Sequence, residues 1–419
     1  MEAELITPTG DAARDAAALR RLVPGGGSVA SAVAAIMADV RAGGDGAVRR
    51  YTELHDTRGT PAPTLRVDAE ELAAARAGLD PAVTAGIELA DRNVGRVARE
   101  ALPTPTTVDF GGHQVTVRDA PVRRAAVYVP GGRAPYPSTV VMGVATARAA
   151  GVAEVVVCSP PGADATVNPA ILAACAISGA DEVYRMGGAQ AIAALAYGTE
   201  TVKPVDVIVG PGNLYVQEAK RQLSGQVGID SFAGPSDLLV IADPDVDPEP
   251  VALDLLAQGE HGAGTIVVAV STSATLLDEL RRRLAGRLPD TPAVCRLVLA
   301  PTPEYAFELA EEFAPEHLEL LGPQAEQLAP RITRSGCVFV ATGTAFGDYV
   351  AGSNHTLPTS GAARFASALG PQHFRRTFTE VRIAEAGPLA RAAAPLARAE
   401  GFELHAQSME IRIGENPES

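Results

Sequence analysis

Between about residues 121 and 236, short runs of β-branched residues alternate with alanine-rich segments of helical spacing. The short runs, which the sequence predicts to be strands, are 125–129, 154–158, 182–185 and 205–209. The helices predicted between and after them lie near 138–150, 167–178, 189–198 and 213–223. This alternation is typical of βαβ units on a parallel sheet. Because such sheets bind ligands outside the carboxyl ends of their strands, we expect a ligand site at the turns that follow these runs.

The same alternation recurs from residue 237 to about residue 341. The strands predicted in this part are 238–241 and segments near 265–270, 296–299, 318–320 and 337–340. Residues 10–100 predict four or five helices, and the tail from residue 371 predicts a small lobe that docks onto another subunit. We therefore expect an α/β protein with two Rossmann-like doubly wound lobes with parallel sheets, an N-terminal helical region and a small C-terminal segment.

Composition and charge exclude several classes of protein. The 419 residues include 35 basic and 50 acidic side chains, and the net charge of −15 argues against a nucleic-acid partner. No run of about 18 apolar residues predicts a membrane span. The acidic start, without an apolar core after it, differs from a signal peptide, so we expect a cytoplasmic protein with a small-molecule partner. Neither of the two lysines, Lys203 and Lys220, follows a glycine-rich loop, which argues against a P-loop phosphotransferase.

Three glycine-containing turns follow the strands of the first series, namely Tyr128–Gly132, Gly187–Gln190 and Gly210–Asn213. Backbone without side chains can approach a ligand closely there, and the start of the next helix can hold an anion such as a pyrophosphate. No turn has the Gly-x-Gly-x-x-Gly pattern. A dinucleotide would therefore bind unconventionally, with Tyr128, Gln190 and Asn213 as the polar or stacking groups at the crevice.

A candidate metal site begins at the end of an apolar helical run. Gln258 and His261 stand three residues apart, so on a helix both side chains leave the same face. Together with an Asp from the polar loop 342–361 and a distant His, they could ligate zinc. The alternative is that His261 is a satisfied core histidine or a surface histidine. Ser236, in a Gly-Pro-Ser turn before a strand, is expected to face a cleft between the lobes.

The Glu316-His317 dipeptide lies between a predicted helix and a predicted strand. The histidine could take and return protons while the carboxylate activates water. A chance dipeptide is the alternative. Three functions remain open at this point: a zinc- and NAD-dependent dehydrogenase, a zinc hydrolase that uses Glu316, and a metabolite-binding protein without catalysis.

Taken together, these motifs resemble the histidinol dehydrogenase family. The stretches that carry the resemblance, in the family's order, are Tyr128–Gly132 with Ala134–Ser138, Gly187–Gly198, Gly210–Asn213, Ala233–Ser236, Gln258–His261, Ala314–Leu318 and Gly352–Thr359. They span nearly the whole chain. The resemblance implies a zinc-dependent homodimer that oxidises L-histidinol to L-histidine through L-histidinaldehyde with two NAD, in the last step of histidine biosynthesis.

The resemblance also implies residue roles. His317 would be the general base in both oxidations, and Glu316 would activate the water that attacks the aldehyde. The implied zinc ligands are Gln258, His261, Asp348 and, from the other subunit, His405. The implied NAD contacts are Tyr128, Gln190 and Asn213. The implied substrate contacts are Ser236, Gln258, His261, His317, Asp348, Glu400 and His405.

The segments expected from the resemblance follow the predicted lobes. Residues 1–120 and 237–370 would form the helical N-terminus with the lobe that carries the metal and catalytic residues. Residues 121–236 would form the NAD-binding lobe, and residues 371–419 would form a dimerisation segment.

The chain departs from the family pattern at two positions, with Asp237 where Glu is expected and Gly259 where Ala is expected. Glycine lowers helix propensity by about 1 kcal/mol relative to alanine. Neither departure is expected to reach a group assigned to chemistry. Relatives that act on other amino alcohols or on sulfonated alcohols have similar scaffolds, and the Glu316-His317 pair with His405 favours histidinol.

Overall fold

The computed structural model describes residues 3–23, 28–61, 64–131, 134–231, 234–262, 264–287 and 293–413. The strands are β1 (Ala3–Ile6), β2 (Thr106–Asp109), β3 (His113–Pro121), β4 (Arg124–Tyr128), β5 (Glu154–Ser159), β6 (Glu182–Arg185), β7 (Val207–Val209), β8 (Gly228–Ile229), β9 (Asp237–Ala242), β10 (Ile266–Ser271), β11 (Val294–Leu299), β12 (His317–Leu321), β13 (Cys337–Val340) and β14 (Arg375–Ile383). The helices are α1 (Ala12–Arg21), α2 (Ala30–His55), α3 (Ala69–Ala77), α4 (Pro81–Glu100), α5 (Pro137–Ala149), α6 (Pro169–Ser178), α7 (Gly188–Tyr197), α8 (Leu214–Leu223), α9 (Pro248–Gly259), α10 (Ala274–Leu284), α11 (Pro303–Phe313), α12 (Pro323–Glu326), α13 (Ala345–Tyr349), α14 (Ala386–Ala399) and α15 (Glu403–Glu410).

The two predicted parallel sheets are confirmed. The first has the strand order β6-β5-β4-β7-β8, and the second has the order β1-β11-β10-β9-β12-β13. Apart from β1, each sheet follows the order 3-2-1-4-5 along its own part of the chain. That order is the one found in Rossmann folds, and it reverses between β4 and β7 in the first lobe and between β9 and β12 in the second.

The strands of the two parallel sheets are largely apolar because helices cover both faces of each sheet. In β4, Ala125 and Val127 pack into one hydrophobic cluster, while Ala126 and Tyr128 pack into another on the opposite face. The second sheet divides in the same way between two clusters. Each lobe is therefore a sheet between two helical layers.

The N-terminal helices are divided between the two lobes. Helix α1 packs against α11 of the second lobe, whereas α2, α3 and α4 pack against α7, α6 and α5 of the first. Strand β1, which the sequence analysis did not predict, pairs with β11 at the edge of the second sheet. The N-terminal region thus completes the layers of both sheets.

Contacts divide the chain into two units, Met1–Ala101 with Val122–Phe374, and Leu102–Pro121 with Arg375–Ser419. In the second unit, β14, β3 and β2 form an antiparallel sheet, and α14 packs against α15. Residues 102–120 fall in the second unit in this division, whereas the sequence predicts them in the N-terminal segment. The difference arises because β3 pairs with β14, a strand far away in the sequence that no local pattern could indicate.

Within the described parts of the chain, no helix combines the length and the apolar character needed to cross a membrane.

Candidate active site

Glu316 and His317 lie at the start of β12, where His317 pairs in register with Leu238 of β9 and Cys337 of β13. Both side chains are buried. The pair therefore lies at the amino edge of the second sheet, where the strands begin. Because a crossover helix runs opposite to its strands, the last turns of α9 and α11 reach the same edge.

The carboxyl edge of this sheet is closed at the point where the strand order reverses. Asp243, which directly follows β9, accepts hydrogen bonds from Gln324 N (2.7 Å) and Ala325 N (3.1 Å) at the start of α12. Its carboxylate thus occupies the position where a ligand would be expected. In the second lobe, the functional groups gather at the opposite edge.

Three predicted residues from different elements join in one hydrogen-bond chain. Gln258 Nε2, in the last turn of α9, donates to Ser236 Oγ, and Ser236 Oγ donates to Glu316 Oε2. Asp237 N also donates to Glu316 Oε2, at 3.0 Å, and Glu316 N donates to Asp237 Oδ1, at 2.7 Å. The expectation that the departure at position 237 reaches no group assigned to chemistry is therefore wrong, because Asp237 bonds to Glu316 directly.

His317 lies between two carboxylates. Its Nε2 is 3.1 Å from Asp348 Oδ1, which is a hydrogen-bonding distance. Its Nδ1 is 3.6 Å from Glu316 Oε2, which is too far for a hydrogen bond. The buried Nδ1 has no hydrogen-bond partner among the described residues. Burial lowers the pKa of His317, but the charge of Glu316 and the bond to Asp348 outweigh burial and hold this pKa well above its usual value. The imidazole is thus a strong proton acceptor once it is neutral.

Asp348, on the short helix α13, is surrounded by imidazoles. Burial raises its pKa, but the hydrogen bond and charge of His317, together with the charges of His355 and His261, outweigh burial and lower this pKa overall. His355 lies in the polar loop 342–361 and has no role predicted from the sequence. The buried Nε2 of His355 has no partner within the described part of the chain.

The structure changes one detail of the candidate metal site. Helix α9 ends at Gly259, and His261 lies in the following turn, where its N–H donates to Gln258 O at 3.2 Å. Gln258 is buried and His261 is exposed. Among the described residues, no three His, Cys, Asp or Glu side chains lie close enough together to hold a metal ion.

Two predicted substrate or metal residues, Glu400 and His405, belong to the second unit. Glu400 is the exposed residue that ends α14. His405 is exposed on α15, with its ring centroid 5.2 Å from that of Phe402.

In the first lobe, two predicted cofactor residues meet at the carboxyl edge of the sheet. Tyr128 ends β4, and its buried hydroxyl accepts a hydrogen bond from Gly188 N at 3.2 Å. Gln190, on the first turn of α7, is also buried and places Nε2 3.5 Å from Asp56 Oδ2. Burial raises the pKa of Asp56 to about 7. Sequence reasoning missed Asp56, because it follows a helix that carries no recognisable motif.

The third predicted cofactor residue, Asn213, is exposed and caps α8 by accepting hydrogen bonds from Tyr215 N (3.0 Å) and Val216 N (3.2 Å). Its turn begins at Gly210, whose φ is 109°. A Cβ at Gly210 would lie 2.2 Å from Tyr128 O, so only glycine fits this close approach between β7 and β4. Gly132 and Ala233, which belong to the family-like stretches, lie outside the described residues.

Two further carboxyl groups lie behind the Glu316-His317 pair. Glu319 is fully buried in β12, two residues after His317, and Asp254 lies one turn before Gln258 on α9. The Glu319 oxygens accept no hydrogen bond from the described residues. Burial and the charge of Asp254 raise the pKa of Glu319 to about 9, and burial raises the pKa of Asp254. A proton on Glu319 supplies the hydrogen-bond donor that the two carboxyl groups of Glu319 and Asp254 otherwise lack.

The Glu319 carboxyl group should make stability depend on pH. Below its ordinary pKa of 4.5, Glu319 is protonated in both states, and its stabilising effect is fully present. As pH rises towards about 9, only the unfolded chain ionises, so the free energy of unfolding should fall by at most about 1.4 kcal/mol per pH unit. Glu319→Gln cannot ionise and should flatten this fall.

Urea denaturation of wild type and Glu319→Gln at about pH 4.5 and about pH 8.5 measures the effect. The variant should gain stability relative to wild type at the higher pH. Glu70→Gln, at an exposed position of α3, is the control and should track wild type. An equal difference between Glu319→Gln and wild type at both pH values would contradict the prediction.

Two lobes with Rossmann-like topology and a buried carboxylate–imidazole pair define a two-lobed α/β enzyme. The family model for histidinol dehydrogenase matches residues 24–413, and the chain belongs to this family. Histidinol dehydrogenase 2 of Nostoc sp. is 43% identical over 394 residues, which are 90% of this chain and 91% of that relative. Histidinol dehydrogenase of Gluconobacter oxydans is 41% identical over 406 residues, 93% of this chain and 94% of the relative.

A solved structure agrees with this assignment. The crystal structure of histidinol dehydrogenase from Elizabethkingia anophelis matches with a TM-score of 0.90 and 29% identity. The match covers 99% of this chain and 98% of that one. Membership in a dehydrogenase family favours an oxidoreductase over the hydrolase and the non-catalytic binding protein.

Proposed function

We propose that this enzyme oxidises L-histidinol to L-histidine through L-histidinaldehyde, the last step of histidine biosynthesis, and uses two NAD and zinc. The observation that carries the proposal is the Glu316-His317 pair, which lies at one sheet edge with Ser236, Gln258 and Asp348. Family membership supports the substrate. A cytoplasmic location stays a prediction.

His317 is the proposed general base of both oxidations. Its imidazole accepts the hydroxyl proton as the carbinol carbon loses a hydride, for which bound NAD would supply the acceptor in each oxidation. Glu316 then accepts a proton from the water that attacks the aldehyde carbon, while the imidazolium of His317 returns its proton to the aldehyde oxygen and becomes neutral again. The resulting hydrate loses its own hydroxyl proton to His317 and a second hydride, which yields the carboxylic acid.

The residues of the first unit fit zinc by the chemistry of their donor atoms. The amide nitrogen of Gln258 bonds to Ser236, so its amide oxygen remains available to bind a metal ion. His261 and Asp348 add an imidazole and a carboxylate, which are also ligands that zinc accepts. The charge of His261 is among the causes that lower the pKa of Asp348. These three ligands of one subunit would leave the fourth coordination position of the zinc ion for His405 of the partner subunit. A zinc ion bound there would orient the imidazole and amine of the substrate.

The proposed substrate contacts include the proposed zinc ligands and three further residues. The full set of proposed substrate contacts is Ser236, Gln258, His261, His317, Asp348, Glu400 and His405. For NAD we propose contacts with Tyr128, Gln190 and Asn213. Support for the cofactor contacts comes from their turns, which lie at the carboxyl edge of the first sheet; the turns of Tyr128 and Asn213 flank the point where the strand order reverses.

The proposed homodimer is supported by the surface of the second unit. Large apolar side chains are exposed on α14, on α15 and around them, namely Leu396, Phe402, Leu404 and Ile411. Exposed apolar residues close together favour a protein interface. His405 is adjacent to Leu404 and contacts Phe402, so a subunit contact that buries these residues would also enclose His405.

Product stoichiometry tests the proposed function. Zinc-loaded protein with limiting L-histidinol and excess NAD should form about two NADH per histidinol consumed. A ratio near one, or no NADH, would count against the proposal. A sulfonated alcohol and an amino alcohol without an imidazole ring serve as comparison substrates. Faster turnover of either would transfer the assignment to that substrate class.

A further inference from the structure

Arg20, on the last turn of α1, holds together the chain segment that leads from α11 to the catalytic pair. Its Nη2 donates to Phe313 O at 2.6 Å and to Ala314 O at 3.1 Å, and its guanidinium lies 3.6 Å from the centre of the Phe313 ring. Ala314 is left-handed, with φ 49°, a conformation that alanine rarely adopts. These hydrogen bonds satisfy carbonyl groups at the end of α11 and stabilise the sharp turn before Glu316.

The same guanidinium forms an ion pair with Asp237. Arg20 Nη1 donates to Asp237 Oδ2 at 2.6 Å, and the Asp237 side chain is fully buried. Burial raises the pKa of Asp237, and the charge of Arg20 opposes this shift. Because a buried carboxylate without a partner is costly, the ion pair with Arg20 favours the charged form of Asp237 against the effect of burial.

Asp237 in turn fixes both the backbone and the side chain of Glu316. Its Oδ1 accepts from Glu316 N at 2.7 Å, and its own N donates to Glu316 Oε2 at 3.0 Å. Its Oδ2 also accepts from Ser360 N at 3.1 Å, which anchors the loop after β13 to the same carboxylate. Asp237 thus bonds to Glu316 at two points: its carboxylate holds the Glu316 backbone, and its own N–H, together with Ser236 Oγ, holds the Glu316 carboxylate.

We propose that Arg20 and Asp237 are positioning residues that hold the Glu316 carboxylate in place to activate water. The proposal rests on the proposed function of Glu316. His317 depends much less on this pair, because its ring stacks on Phe339 and its Nε2 bonds to Asp348. Loss of the ion pair should therefore impair the hydration and oxidation of the aldehyde more than the oxidation of the alcohol.

The test measures the two oxidations separately, with L-histidinol and with L-histidinaldehyde as starting substrates. In Arg20→Gln and in Asp237→Asn, kcat for aldehyde oxidation should fall by about tenfold or more, while alcohol oxidation should change by less than about threefold. NADH formed per histidinol should shift from two towards one, with aldehyde recovered by a trapping reagent. The double variant should be no slower than the slower single variant, because both changes break one interaction.

Controls separate positioning from a loss of folding. Arg21→Gln removes the neighbouring exposed arginine and should leave both rates unchanged. Arg20→Lys keeps the charge but loses the planar fork, so it should recover only part of the aldehyde rate. Circular dichroism and zinc content, compared with wild type, confirm that the variants are folded. If Arg20→Gln does not fold, Asp237→Asn, which keeps the side-chain volume, carries the test.

Three results would overturn the inference: an equal fall in both rates, a selective fall in alcohol oxidation, or no change in either rate. Failure of the proposed function is distinguishable, because wild-type protein would then form no histidinol-dependent NADH.

Discussion

Replacing His317 with Asn should lower kcat of histidinol oxidation by about 10²–10⁴-fold, the usual contribution of a general base. Asn keeps a polar side chain of similar volume but cannot accept a proton at neutral pH. The Nδ1 of His317 is buried without a hydrogen-bond partner among the described residues, and Glu316 and Asp348 raise the pKa of this imidazole, so its neutral form accepts a proton readily. Steady-state rates with saturating L-histidinol and NAD provide the measurement.

Two further measurements make this result specific. Zinc content of His317→Asn should equal that of wild type, because His317 is not among the proposed ligands. His113→Asn, in β3, changes a histidine with no proposed role and should keep the wild-type rate. Turnover of His317→Asn within tenfold of wild type would show that another group takes the proton.

Replacing Lys220 with Met should lower the free energy of unfolding by about 3–5 kcal/mol, because it leaves the carboxylate of Asp230 buried without its partner. Both side chains are almost fully buried and form an ion pair. Lys220 Nζ also donates to Gly210 O at 3.0 Å, and Gly210 N donates to Asp230 Oδ2 at 2.7 Å. The pair thereby fixes the glycine turn beside Tyr128.

Urea denaturation followed by circular dichroism measures the loss. Lys203→Met is a matched control, since it removes the other lysine of the chain at an exposed position and should cost little. Combining Lys220→Met with Asp230→Asn should destabilise less than the sum of the two single changes, because the charge left behind is removed. Additive losses would show that the two groups do not interact.

The parallel sheets could be predicted because their strands are buried on both faces and read as continuous apolar runs. The antiparallel sheet could not be predicted, because β3 pairs with β14, which lies far away in the sequence. Glu316, His317 and Ser236 could be identified from the sequence since family-like motifs carry them. Arg20 could not, because an arginine at the end of an amphipathic helix resembles any surface arginine.

The sequence by itself determined the class of fold, the family and the residue types of the site, since these depend on local periodicity and on short motifs. Only the tertiary structure decided which edge of the second sheet holds the catalytic pair. Asp243 fills the carboxyl edge by capping α12, and the ends of α9 and α11 bring Gln258 and Glu316 to the amino edge. It also decided that Asp237 bonds to Glu316, because that contact depends on how β9 and β12 pair side by side.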